Sequence, residues 1–374
     1  MAGLYIHIPI CASRCFYCDF YSTTIKDKQK ALVDGICKEM NLRKEYLQGE
    51  PVHTVYFGGG TPTLLPVKET GKMVETLFRL FDCSLEEMTI EANPDDLSPQ
   101  YLRELRNRPF NRISIGIQSF KDHELKLLNR RHTSGQAIDA VKTCQDAGFN
   151  NISIDLIYGL PGQTLPHWEE NLQIAIDLQI SHISAYHLSY EKGTELFRQL
   201  QQGKIAQVEE SVSEAMFKIL RERLQGNGFR QYEISNFAKT GMESKHNSAY
   251  WNGIPYIGLG PSAHSYNRRA RQWNVSDLIV YLSALETGES FYETEKLNFN
   301  ILYNEFIITS LRKMEGMNME LLKEKFGEER YAYCLQHAAG FIATGLLEEN
   351  GGWLRLSEKG IFVSDGVMAE LLWV

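Results

Sequence analysis

The chain has 374 residues, 43% hydrophobic and 23% charged, which is an ordinary globular composition and enough length for one large domain plus a smaller one. A net charge of -8 argues against broad binding of nucleic-acid backbone, which needs a basic face; Arg268, Arg269 and Arg271 make only a local patch. No apolar run approaches the length of a membrane span, and no basic region precedes an apolar core at the start, so neither an integral membrane segment nor a signal peptide is expected.

From the start to about residue 190, short apolar runs alternate with longer amphipathic ones. Leu4–Ile8, Thr54–Phe57, Met88–Ala92, Arg112–Ile117, Ile152–Ile157 and His182–Tyr186 are strand length and rich in Ile, Val, Tyr and Phe. Between them Lys28–Leu47, Lys68–Phe81, Ser134–Ala147 and Leu165–Leu178 carry helical patterns, with Ser98 and Ser134 placed as N-caps and Gly148 as a C′ residue. Six βα units predict an α/β fold with a parallel sheet and right-handed crossovers, too few for an eight-stranded barrel. Their near-continuous apolar character fits strands covered on both faces.

Glu209–Asn227 reads as a further helix, and 228–273 as an irregular segment dense in Tyr, Trp, Asn, Gly and His. Beyond about residue 295, helical patterns at Tyr303–Leu311, Met319–Lys325 and Tyr331–Thr344 precede two apolar ends around Asn350-Gly351-Gly352, a β-hairpin signal. Helices followed by a hairpin suggest a small winged-helix-like α+β domain, and mixed charge on those helices argues against DNA. The expected division is 1–230, a connecting segment 231–290, and 291–374.

Three cysteines stand at tight spacing, Cys11, Cys15 and Cys18. Iron–sulfur clusters usually take four thiolates, so three would hold a [4Fe–4S] cluster with one iron open to a small ligand. Zinc held by the three thiolates and His7, though no second CxxC occurs, and a chance clustering of cysteines that holds no metal are the other readings. Cys37, Cys83, Cys144 and Cys334 are scattered and read as small buried side chains in a reducing compartment, with the cytoplasm as the expected location.

Polar residues recur at strand ends: Gly58-Gly59-Gly60-Thr61 after Phe57, Glu91 and Asn93 after Ile90, Gln118 after Ile117, and Asp155 within the fifth strand. In parallel βα folds the ligand sits at the C-terminal ends of the strands, so several polar groups at that rim point to a polar ligand. The glycine run admits close backbone approach. Glu91 and Asp155 fit either a general acid/base pair or acceptors for an amine and ribose hydroxyls. Arg130 fits a carboxylate partner, with Arg131 a competitor.

The C-x3-C-x2-C spacing resembles the signature of the radical S-adenosylmethionine (SAM) superfamily, in which the open iron chelates SAM and an electron from the cluster cleaves it. Tyr5-Ile-His-Ile-Pro-Ile-Cys11, Gly58-Gly-Gly-Thr-Pro-Thr63, Glu91-Ala-Asn-Pro94, Ile117-Gln-Ser-Phe120 and Asp155-Leu-Ile-Tyr-Gly-Leu-Pro-Gly-Gln-Thr164 together resemble the coproporphyrinogen oxidase-like branch over roughly the first 270 residues. The resemblance implies an incomplete (β/α)6 barrel with an accessory C-terminal domain. It implies Cys11, Cys15 and Cys18 as cluster ligands, and Tyr5, Tyr17, Gly59, Gly60, Thr61, Glu91, Gln118, Arg130 and Asp155 around SAM.

Two departures from the oxidases of that branch stand out. Phe20 occupies the position of their fourth cysteine, and the first cysteine is already residue 11, where those oxidases carry a substantial N-terminal extension before the cluster. His246-Asn-Ser-Ala-Tyr250-Trp251 resembles the His-Asn-x-x-Tyr-Trp motif of the branch's heme chaperones. The resemblance thus implies heme as a third cofactor, heme-accepting respiratory proteins and an electron donor as partners, and no coproporphyrinogen oxidase activity. A neutral imidazole is a common axial heme ligand, and Tyr250 and Trp251 offer flat apolar surface. By composition alone the motif also reads as a capped loop anchored by its aromatics, and His7, His187 and His264 compete with His246 for iron.

Overall fold

The computed structural model describes residues 1–374. The six predicted strands form: β1 (Ala2–Ile8), β2 (Val52–Gly59), β3 (Cys83–Ala92), β4 (Arg112–Gln118), β5 (Asn151–Tyr158) and β6 (His182–His187). They pair in that order and all parallel, with Ile6 beside Phe57, Phe57 beside Ile90 and Gly116 beside Asp155. Their apolar residues are buried against helices on the outer face, as expected where a crossover helix covers every parallel pair.

The segment expected to be irregular is instead built into the sheet. It contains β7 (Arg230–Gln231), β8 (Asn236–Ala238), β9 (Tyr256–Leu259), β10 (His264–Tyr266) and β11 (Ala270–Asn274), with the helix Lys245–Trp251 between β8 and β9. β12 (Tyr292–Lys296) follows. β9 adds a seventh parallel strand on the far side of β1, β10 to β12 extend that edge antiparallel, and β8 and β7 extend the other. The ends of the sheet do not pair with each other, so the barrel is incomplete. These strands are two to five residues long, too short for alternation to show, and partner strands hold them. A Cβ on Gly258 would lie 2.1 Å from the His264 carbonyl oxygen, so the β9–β10 turn closes only around glycine.

The helix expected to end at Leu47 stops at Leu42, because Arg43 turns inward. Its guanidinium donates to Glu39 (2.8 Å), the Gly258 carbonyl (3.0 Å), Ser265 (3.0 Å) and Gln272 (2.8 Å). The Glu39 carboxylate also accepts from the Gly260 N–H (2.8 Å), the Asn274 amide (2.7 Å) and the Tyr281 hydroxyl (2.6 Å). This buried pair bolts the first helix to the β9–β11 extension. Ser98 caps the helix Pro99–Arg106 as expected, whereas Thr133, not Ser134, caps the helix Ser134–Asp146, in a box with Gln136.

The C-terminal part is a small α+β unit. Helix Phe299–Arg312 and helix Met319–Ala343, broken at Gly327, pack on a three-stranded antiparallel sheet of β13 (Met317–Asn318), β14 (Leu347–Asn350) and β15 (Trp353–Leu356). The expected hairpin is β14–β15, turned by Gly351 and Gly352, both at positive φ. No helix is long and apolar enough to cross a membrane.

Glu39→Ala leaves the Arg43 charge buried without its carboxylate. The expected loss is about 3–5 kcal/mol of unfolding free energy, read as a lower urea midpoint. An unchanged midpoint would show that Arg43 is satisfied by its neutral acceptors alone.

Candidate cofactor site

After β1 the chain makes a loop that returns on itself at Thr23. Thr23 N–H donates to the Pro9 carbonyl (2.7 Å) and Cys11 N–H to the Thr23 carbonyl (2.8 Å). Neighbouring elements brace it: Phe16 N–H bonds Leu128, Leu196 N–H bonds Phe16, and the Asn129 amide bonds the Arg14 carbonyl (2.9 Å). A loop with almost no regular structure is thereby held in one shape. Cys11, Cys15 and Cys18 all line the same cavity of about 500 Å³, and Phe20, 66% exposed, lies at its lip.

His7 is not among the lining residues. It is buried, with Nδ1 3.1 Å from the Tyr5 hydroxyl and Nε2 3.4 Å from the Tyr21 carbonyl, and burial pushes its pKa down to about 4. The fourth ligand of the zinc reading is therefore engaged elsewhere. The three thiols do fit a multi-thiolate metal group. Burial pushes Cys11 up and Cys18 up to about 11, so they ionise when a cation replaces the proton. Arg130 Nη1 donates to Cys15 Sγ (3.3 Å), the Thr61 hydroxyl lies 3.8 Å from Cys11 Sγ, and Arg130 Nε is buried without a partner.

The strand-end residues converge on this cavity. Tyr5, Tyr17, Gly59, Gly60, Thr61, Glu91, Gln118, Arg130 and Asp155 all line it. Glu91 accepts from the Tyr56 hydroxyl (2.8 Å) and the Gly59 N–H (3.0 Å). Burial, reinforced by the Asp155 charge and opposed by these bonds, pushes its carboxyl up to about 7. Asp155 is pushed up to about 6 by burial, against hydrogen bonds from Ser184 and Ser114. Gln118 is held at φ 71°, a strained backbone for a residue with a Cβ, as ligand sites often are. Arg130 also reaches the Gly116 carbonyl and Asn93, whose amide donates to Thr61 (3.0 Å). Arg131 pairs instead with Asp95 (2.7 Å).

Sequence reasoning did not assign site roles to Ser114 or Tyr186, placed Asn93 only among the polar strand-end groups, and offered His187 only as a heme-iron candidate; all four line this cavity. Asn93 bridges Arg130 and Thr61, and its signal was its place just past β3 in Glu91-Ala-Asn-Pro. Tyr186 and His187 are the last residues of β6, a polar break at the end of an apolar strand.

The His246 segment lies elsewhere. It forms the helix Lys245–Trp251, capped by Ser244, with Glu87 accepting from the backbone N–H groups of Lys245 and His246 (both 3.0 Å). His246 is buried, Nδ1 2.9 Å from the Thr54 hydroxyl, Nε2 2.8 Å from the Tyr250 hydroxyl, its ring stacked on Tyr56. Burial holds it neutral, down to about 3. Both ring nitrogens have partners, so no position is open for iron in this arrangement. His264 stacks on Trp273, and His187 belongs to the first cavity.

Tyr250 and Trp251 line a second cavity of about 900 Å³, between the β9–β10 edge and the C-terminal helices. Tyr256, Tyr266, Phe299, Phe306 and Trp353 add aromatic wall, and no histidine lines it. Four cations line it: Arg271 pairs with Glu305 (2.7 Å) in the wall, Arg268 with Glu50 (2.8 Å) and Lys313 with Glu315 (3.3 Å) at its margins, and Lys325 has no carboxylate partner.

Residues 5–175 match the radical SAM superfamily, and residues 301–363 match the HemN C-terminal domain. The fold is thus that of a radical SAM protein with a HemN-type C-terminal domain, a class that implies a [4Fe–4S] cluster and SAM. The heme chaperone HemW of Bacillus subtilis is 32% identical over 100% of this chain and 99% of its own length. A Bos taurus protein, radical S-adenosyl methionine domain-containing protein 1, mitochondrial, is 37% identical over 99% of this chain and 87% of its own. The chain belongs to the HemW family. The solved structure of coproporphyrinogen III oxidase (HemN) from Escherichia coli shares the fold, with a TM-score of 0.85 over 99% of this chain and 89% of that one, at 22% identity.

Glu91 carries a pH signature. Its folded pKa of about 7 lies above the ordinary 4.5, so in that window the ligand-free folded chain holds a proton that the unfolded chain has released. Its stabilising contribution is full below the lower value and is lost as pH rises through the upper one. Urea unfolding of wild type and Glu91→Gln should therefore diverge with pH, wild type losing ground between about pH 5 and about pH 8. A constant difference would mean an ordinary carboxylate.

Proposed function

We propose that this protein is a heme carrier, with a [4Fe–4S] cluster and SAM in the first cavity and the porphyrin in the second. In this reading Cys11, Cys15 and Cys18 hold three irons. The Gly59–Gly60 backbone and Glu91 receive the SAM amino group, Asp155 takes the ribose hydroxyls, and Arg130 faces the SAM carboxylate. Tyr5, Tyr17, Thr61 and Gln118 complete the wall. When bound, cluster and SAM supply one-electron chemistry, for which an electron donor is a required partner; the chain's own residues orient them and exclude water. Residues 1–230 would then carry the cluster and SAM, while 231–290 and 291–374 would enclose the heme.

The observation that carries the heme reading is the second cavity. A heme is a flat apolar ring with two carboxylates. The cavity offers aromatic walls and four lining cations, of which Lys325 has no carboxylate partner, within a chain whose net charge is -8. Its volume of about 900 Å³ suits a ligand of cofactor size. Tyr250 and Trp251 supply stacking surface, and His246 sets the Tyr250 hydroxyl from behind. The chain would pass heme to heme-requiring respiratory proteins. Decarboxylation of coproporphyrinogen III is the rival reading, disfavoured by Phe20 in place of a fourth cysteine.

Anaerobic reconstitution tests the first cavity. Cys11→Ala, Cys15→Ala or Cys18→Ala should abolish the [4Fe–4S] absorption, while Cys37→Ala and Cys334→Ala retain it. Glu91→Ala and Asp155→Ala should keep the cluster and weaken SAM binding roughly 10- to 100-fold, the cost of a lost charged hydrogen bond. Unchanged SAM affinity in both would move the SAM site elsewhere.

Parallel incubation with heme and with coproporphyrinogen, SAM and reductant tests the function. Heme should bind with a defined absorption band, altered in His246→Ala and weakened at least about tenfold in Lys313→Glu/Lys325→Glu, where two favourable charges become repulsive. Protoporphyrinogen should not form. Its steady production without heme uptake would establish the oxidase instead.

A further inference from the structure

Away from both cavities, three ligand-type side chains meet on the outer face of the barrel. His123 and Glu124 belong to the helix Asp122–Leu127 that follows β4, and His167 to the first turn of the helix Leu165–Asp177 that follows β5. Their ligand atoms all lie within 4.8 Å of one another. Glu124 is only 1% exposed. Its Oε2 is fully used, accepting from the Ser119 hydroxyl, the Gln163 amide (3.1 Å) and the Asn171 amide (3.3 Å). Its Oε1 is buried and has no partner.

Across the gap lies His167 Nδ1, at 4.0 Å, and that nitrogen is also buried without a partner. Two orphaned polar atoms thus face each other at a separation too long for a hydrogen bond. Leaving such atoms unpaired is costly, and buried orphans call for a missing partner. A cation between them satisfies both, because bonds of about 2.0–2.2 Å to nitrogen and oxygen span such a gap. His123 is exposed, its ring 5.1 Å from that of His167, and it closes the site from the solvent side.

We infer that His123, Glu124 and His167 form a divalent metal site of zinc type that clamps the turn after β4 to the turn after β5. Two imidazoles and one carboxylate suit Zn²⁺ or Co²⁺ rather than Ca²⁺ or Mg²⁺, which prefer all-oxygen sets. The clamp follows from what Glu124 already holds. Ser119 adjoins Gln118, a wall of the first cavity. Gln163 accepts from the Gly159 N–H (2.9 Å), in the turn just beyond the strand that carries Asp155. An ion fixing Glu124 to His167 would therefore stiffen two of the strand exits that shape that cavity. This site depends on neither the heme nor the SAM assignment.

The test uses the full chain with its [4Fe–4S] cluster already reconstituted, so that the cysteines are not free to take zinc. Co²⁺ titration followed by absorption, and Zn²⁺ displacement of it, should report one ion per chain beyond the cluster metal, with a raised unfolding temperature when Zn²⁺ is present. The His123→Ala/His167→Ala variant should bind at least about tenfold more weakly, since even outer-sphere changes at metal sites cost that much. Glu124→Gln removes a buried hub and can unfold the chain; the two histidines, at the surface edge of the cluster, avoid that. His123→Ala alone, at the exposed position, should show an intermediate loss. Wild-type affinity in the double variant, or no uptake by the cluster-loaded wild type at about 100 μM metal, where binding is already weaker than structural sites require, would overturn the site.

Discussion

Close backbone approach at Gly58-Gly59-Gly60 is the constraint on which the cofactor cavity rests. Each glycine meets a different neighbour. A Cβ on Gly58 would lie 3.0 Å from the Glu91 carboxylate, one on Gly59 2.7 Å from the His7 ring, and one on Gly60 2.8 Å from the Ile10 carbonyl oxygen and 2.9 Å from Cys11 Sγ. The end of β2 thus sets the distance to β3, to β1 and to the cysteine loop at once. Gly59 stands at φ 108°, which only glycine adopts without strain. It also turns its N–H toward Glu91. The cavity exists because three successive residues lack side chains.

The architectural carboxylates Glu39 and Glu87 differ from the cavity carboxylates Glu91 and Asp155, and their partners separate them. Glu39 is saturated by a guanidinium, an amide, a hydroxyl and a backbone N–H. Glu87 caps the helix Lys245–Trp251 through two backbone N–H groups and so fixes the depth at which His246 sits. These charges are spent on architecture. Glu91 and Asp155 are under-provided by comparison and hold their protons to near neutral pH, as groups awaiting a polar ligand do.

Much of this was legible in the chain. The six apolar runs have the length and composition of covered parallel strands, and Cys11, Cys15 and Cys18 are close enough in sequence to share one loop. Glu91, Gln118 and Asp155 were visible because each interrupts apolar character at a strand end. The strands from β7 to β11 were not, because two- to five-residue strands carry no period and owe their existence to the edges they join. His246 shows a different limit. Its motif marks the right segment, but the partners that occupy both its nitrogens, Thr54 and Tyr250, are one distant and one local, and periodicity announces neither. The second cavity was equally hidden, since its cations and rings come from separate stretches between Tyr250 and Trp353 that only the tertiary fold brings together.

The order of strands has a consequence for how the chain is made. β1 sits in the interior of the sheet, with β2 on one side and β9 on the other. Residues 2–8 are translated well before their second partner, Tyr256–Leu259, which follows some 250 residues later. At about 5–20 residues per second, the ribosome leaves an apolar strand edge bare for roughly 10–50 s. The Glu39–Arg43 pair waits equally long for Gly258, Gly260 and Tyr281. A nascent chain of this topology therefore offers a long-lived template for misplaced strand pairing, and occlusion of that edge by a chaperone would matter more here than in folds whose central strands come last.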